Sequence, residues 1–197
     1  MEDKSKLDLD AIAKECNLFE ETQDAVSKIK ALENTYERDD LVTIYNHFLT
    51  ICKSPSLLAE LIRFEDQYRD KSSLPVLVDI LLCKTGDGSG NKDDFTNVRV
   101  MCAKAIANLK DTSAVNSLLY CLNNKNENYK VRFACADALG KIGDKYAVAP
   151  LIDVVKDENE RSVYLRESAA SALGMLGDIR AIDPLVSILE TKQGIID

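Results

Sequence analysis

Apolar residues recur along the second half of this chain in two alternating stripes. Val98, Ile106 and Leu109 reappear as Val131, Leu139 and Ile142, and again as Leu165, Leu173 and Leu176. That spacing keeps each set on one face of a helix. After a short break a second stripe follows: Val115, Leu118 and Leu122, then Val148, Leu151 and Val155, then Ile182, Leu185 and Leu189. The pattern predicts three helical hairpins, over 98–123, 131–156 and 165–190, each helix amphipathic and each hairpin lacking a closed core of its own.

The punctuation between stripes agrees. Gly143–Asp144 and Gly177–Asp178 stand between the two helices of their hairpins, and Lys110–Asp111 takes that place in the first. Glycine adopts the left-handed backbone that ends a helix, and Asp accepts from the free N–H groups that open the next. Lys110 is expected to hold the same turn at some conformational cost. Gly140 and Gly174 fall inside the first helices, where they predict close approach of a neighbouring helix. Pro150 and Pro184 fall where a second helix is forming and predict that it starts late or kinks.

A unit of 33 to 34 residues that cannot bury its own stripes must stack on copies of itself. The recurring V/L-R, small residues, A-L-G-x-I/L-G-D and A-V/I-x-P-L resemble HEAT repeats of the short, phycobilin-lyase-like type, closely over 131–190 and less so over 98–123. The resemblance implies an all-α fold, an alpha-alpha superhelix or HEAT-like solenoid. Upstream the signature fades while helical periodicity persists: Val26, Ile29 and Leu32; Leu41, Tyr45, Phe48 and Cys52; Leu58, Leu61, Ile62 and Tyr68; Leu77, Ile80 and Leu81. Residues 1–83 are therefore expected to form two degenerate repeats, giving about five hairpins in one continuous solenoid. Residues 84–97, KTGDGSGNKDDFTN, are expected to be a flexible insertion loop, since they fit neither a P-loop nor an EF-hand.

Charge narrows the partner. The chain carries 25 basic and 33 acidic residues, a net of −8, and 16 of the acidic against 9 of the basic residues lie at or before Asp70. An acidic surface repels phosphate backbones, so nucleic acid is not the expected partner. The charged start and the absence of a long apolar run predict no membrane segment and a cytoplasmic setting.

The usual chemistry is missing. His47 is the sole histidine and reads as a surface or partly packed helix residue. Hydroxylases that resemble this fold need several His-Glu pairs for a di-iron site, and the chain has none. The HEAT-like DNA glycosylases are basic, and this chain is acidic. Six cysteines, at 16, 52, 83, 102, 121 and 135, contain no C-x-x-C pair. In repeat register Cys102, Cys135 and Ala169 are equivalent, as are Cys121, Val154 and Ile188, so these cysteines read as small core residues. No catalytic, cofactor-binding or metal-ligating residue is predicted.

What remains is surface. Arg99, Arg132 and Arg166 open first helices in register and, with Asp79 and Asp153, are expected to form an internal Arg–Asp ladder rather than a ligand groove. The second helices usually line the concave side of a solenoid. Outward positions there are Asn116, Tyr120, Asp153, Asp183 and Ser187, the predicted partner-binding residues, with Tyr120 as the aromatic anchor. After Leu189 no capping helix is legible, and Ser171, Met175 and Ile179 are expected to leave an edge for a homo- or heterodimer. The expected function is a non-enzymatic adaptor or scaffold binding a protein or peptide, one with a basic patch. The alternatives are a bilin lyase or chromophore-handling subunit, implied by the resemblance, and an immunity protein against a basic toxin.

Overall fold

The structure, a computed structural model, describes residues 7–20, 23–83, 95–160 and 162–193. Among these no strand occurs, and the fold is an all-α repeat superhelix. The helices are α1 (Leu9–Glu15), α2 (Gln23–Ala31), α3 (Arg38–Ile51), α4 (Pro55–Tyr68), α5 (Leu74–Leu81), α6 (Thr96–Leu109), α7 (Val115–Asn123), α8 (Tyr129–Ile142), α9 (Val148–Lys156), α10 (Val163–Leu176) and α11 (Ile182–Gln193). They divide between two compact units, Met1–Met101 and Cys102–Asp197, with α6 crossing the boundary.

In the second unit α8 packs on α7 and on α10, and α10 packs on α9. The predicted stripes make these contacts: Val131, Leu139, Leu165 and Leu173 on the first helices, and Leu118, Leu122, Leu151 and Val155 on the second, are all buried. Cys102, Cys121 and Cys135 are buried among them. Lys110, Gly143 and Gly177 all take positive φ, at 50°, 85° and 59°. Each is followed by an Asp whose carboxylate accepts a backbone N–H two residues on: Asp111 from Ser113, Asp144 from Tyr146 and Asp178 from Arg180, at 3.0, 2.9 and 3.0 Å.

A single 3-10 turn then intervenes, Thr112–Ala114, Lys145–Ala147 and Ile179–Ala181, ending each time in a buried alanine. This turn delays the second helix to Val115, Val148 or Ile182. Pro150 and Pro184 therefore sit in the first turn, where a missing N–H costs no intrahelical bond. Of the two outcomes expected for these prolines, the late start is the one observed.

The glycine expectation divides. A Cβ built on Gly140 would lie 2.7 Å from Ala172 Cα, so α8 and α10 approach through this residue. Gly174 has nothing within 4 Å of its Cβ position, and the close approach expected of it is not made. The reason is positional: Gly140 faces the first helix of the following hairpin, and no described helix follows α11.

The first unit carries the same turn where sequence reading found only periodicity. Arg69 takes φ 49°, Asp70 accepts from Ser72 N at 3.0 Å, and the turn Lys71–Ser73 leads into α5. Helix α1 was not anticipated; it buries Ile12 and Ala13 and is capped by Asp8, which accepts from Ala11 N at 3.0 Å. His47 is half-buried and lies 3.0 Å from Asp10 of α1, a partly packed helix residue as expected. Of the expected loop, 84–94 lie outside the described residues, and Thr96 and Asn97 already belong to α6.

In the first unit two register positions that are apolar in the second carry polar residues. Aligned on the Asp turns, Glu65 occupies the place of Ile106, Leu139 and Leu173, and Ser73 that of Ala114, Ala147 and Ala181. Glu65 is buried, and the Ser73 hydroxyl donates to its Oε1 while Oε2 has no hydrogen-bond partner. Burial pushes the carboxyl above its ordinary value; the Ser73 hydrogen bond opposes this, and Asp66 and Asp70 reinforce it. A carboxyl raised on folding contributes fully below its unfolded pKa of about 4.3 and loses that contribution as pH rises through its folded value. Glu65→Gln is therefore expected to raise the melting temperature more at pH 8 than at pH 4. Equal shifts at both pH values, read by circular dichroism, would contradict this assignment.

Candidate interaction surface

The second helices of the second unit present two rows of outward positions. Asn116 on α7, Ala149 on α9 and Asp183 on α11 form one row by repeat register, and Tyr120, Asp153 and Ser187, one helical turn on, form the other. All six are exposed. Tyr120 is 69% exposed, the only aromatic side chain in the two rows. These positions face outward because the intervening Leu118, Cys121, Leu151 and Val154 turn inward to the core.

Two of the arginines close the ends of second helices. Arg99 Nε donates to the carbonyl of Leu81, the last residue of α5, at 2.7 Å, and Arg132 Nε donates to Leu122 near the end of α7 at 2.8 Å. Leu81 and Leu122 are equivalent in register, so each Arg neutralises the carbonyl end of the preceding second helix. Arg132 Nη1 reaches Glu160 Oε2 at 2.6 Å, with both side chains almost fully buried. The ladder expected through Asp153 is not formed at Arg132, because Asp153 lies on the exposed side of α9 while Glu160 lies in the loop over the guanidinium.

That loop and its predecessor enclose a groove of about 690 Å³, lined among others by Lys125, Tyr129, Arg132, Asp157, Glu160 and Tyr164. Its charges are satisfied internally. Lys125 Nζ lies 2.8 Å from Asp157, and this bond together with the Asn159 N–H holds the Asp157 carboxyl below its usual range. Burial alone would raise the Glu160 carboxyl, but the Ser162 N–H and Arg132 outweigh it and keep it low. Tyr129, Val163 and Tyr164 are exposed at the rim. Sequence reading missed this groove because its lining comes from inter-repeat loops; the available signal was an aromatic at the start of two successive first helices.

Within the groove Lys125 pairs with Asp157 and Arg132 with Glu160. Among the described residues no group of three or more His, Cys, Asp or Glu side chains is placed to hold a metal ion. No helix is long and apolar enough to cross a membrane.

A family model for HEAT repeats matches residues 91–164 and 125–196, overlapping spans that together take in more than half of the chain. The chain belongs to the HEAT-repeat family. The match runs from just ahead of α6 through α11, the stretch with the repeated Asp turns and alanine-ended 3-10 turns. It is a match to HEAT repeats in general and does not single out the phycobilin-lyase-like type. No curated protein matches the chain. HEAT repeats commonly mediate protein–protein interaction.

Proposed function

We propose that this HEAT-repeat protein is a non-enzymatic adaptor that holds a protein or peptide partner on the second-helix face of its second unit. The observation that carries the reading is Tyr120, an aromatic side chain 69% exposed within a row of otherwise small or acidic residues. Exposed tyrosines anchor interfaces because a rigid ring supplies contact area at low entropic cost and its hydroxyl remains able to hydrogen-bond. Asp153, in its row, and Asp183, in the adjoining one, favour a partner with a basic patch. The reading sets the protein in the cytoplasm, where an exposed thiol such as Cys83 persists reduced.

Tyr120→Ala is the test. Affinity capture from extracts of the source organism is expected to yield a partner with the wild-type chain and to lose it, by about tenfold or more, with the variant. The melting temperature should not move, since the removed ring is mostly in solvent. Equal capture by both chains would discard the face.

A further inference from the structure

The last hairpin repeats the interior of the stack and leaves it bare. Val115 of α7 and Val148 of α9 are 3% and 0% exposed, whereas Ile182, in the same place on α11, is 58% exposed. Leu122 and Val155 are 0% and 5% exposed, against 63% for Leu189. Helices α7 and α9, where this stripe is buried, pack against the first helix of the following hairpin, α8 or α10. The two glycines give the same contrast independently, since Gly140 is pressed against Ala172 and Gly174 has no neighbour within 4 Å of its Cβ position. Met175, Ile179 and Val186 are exposed on the same hairpin. A stacking face is thus complete in its residues, continuous in register with the interfaces that hold the unit together, and uncovered by any described residue.

We propose that this face pairs with the same face of a second copy of the chain, about a twofold axis. Ile182, Val186 and Leu189 recur at i, i+4 and i+7, the spacing of a seam along which two helices pair. An isologous contact asks a surface to complement itself, which an uninterrupted apolar stripe does. Of its bordering charges, Asp178 and Arg180 bind each other, at 2.8 Å from Nε to Oδ1. The wider balance also favours self-pairing here. Residues 102–197 hold 12 basic and 13 acidic residues, whereas 1–101 hold 13 and 20, so two copies meeting through the second unit bring together surfaces of almost no net charge. The pairing is separate from the Tyr120 face and stands or falls without it.

Sedimentation velocity of the full chain, from single to hundreds of micromolar, tests the proposal. The wild type is expected to pass reversibly from monomer to dimer, with no dissociation on raising salt, because the contact is apolar. Ile182→Glu with Val186→Glu is expected to weaken association by about a hundredfold or more, leaving the helical circular dichroism unchanged because both side chains are already in solvent. Hydrogen exchange over 179–189 gives a reading that needs no variant, and should slow as the wild-type concentration rises. A wild type that remains monomeric, an association insensitive to both substitutions, or exchange independent of concentration would each overturn the pairing, whatever other partner the chain captures.

Discussion

Gly140→Ala is expected to destabilise the second unit by about 2 kcal/mol, while Gly174→Ala, the same change one repeat later, is expected to stabilise it by up to about 1 kcal/mol. In a helix interior alanine is favoured over glycine by up to about 1 kcal/mol, and this term is common to both sites. At Gly140 the added methyl would lie 2.7 Å from Ala172 Cα and 2.9 Å from both Ala172 Cβ and Met175 Cε. Met175 can swing aside. Ala172 cannot, because its Cα moves only if α10 moves, and α10 packs on both α8 and α9. Widening that helix pair loses close contacts along its length, a cost that exceeds the propensity gain. At Gly174 there is nothing to displace, so the gain stands alone. Urea unfolding followed by far-ultraviolet circular dichroism reads both. Two shifts of the same sign would mean that α8 and α10 do not meet through Gly140.

The contrast also shows what sequence could convey. Gly140 and Gly174 are indistinguishable in their strings, A-L-G-K-I-G-D and A-L-G-M-L-G-D, and sequence assigned both to close approach. Only a neighbour's presence separates them, and a neighbour is a property of the stack rather than of the unit. Lys110 was legible because its Asp111 preserves the turn, and it does take the left-handed backbone. The matching Arg69–Asp70 turn escaped notice because Asp70 and Asp111 lie 41 residues apart instead of 33 or 34, the polar stretch after Cys83 having displaced the register. With that turn recognised, Glu65 would have been read in a core position. The exposed residues of α7, α9 and α11 followed from periodicity alone, as the positions left when the buried stripe is removed. The groove did not, because no period governs the loops that line it.

Arg132→Ala is expected to have the largest effect of any single exposed-to-solvent or core change discussed, about 3–5 kcal/mol. Its guanidinium serves two helices at once, closing the carbonyl of Leu122 at 2.8 Å and meeting Glu160 Oε2 at 2.6 Å, with the two side chains 7% and 9% exposed. Removing it strands a buried carboxylate and a buried carbonyl together, and a stranded charge costs more than the intact pair contributes. Arg132→Lys is expected to recover only part of the loss, because an ammonium lacks the planar fork that reaches carbonyl and carboxylate in different directions. Acid should reveal the same pair from the other partner. Glu160 is held below its ordinary value, so it contributes stability above its unfolded pKa of about 4.3 and surrenders it as pH falls through the lowered folded value, the reverse of Glu65. Glu160→Gln should therefore flatten the acid limb of the stability profile, where Glu65→Gln flattens the decline on the other side. If Arg132→Ala shifts the melting temperature no more than an exposed control such as Lys104→Ala, the guanidinium is not holding α7 to the loop above it, and the closure of the groove floor must come from the apolar stripe alone.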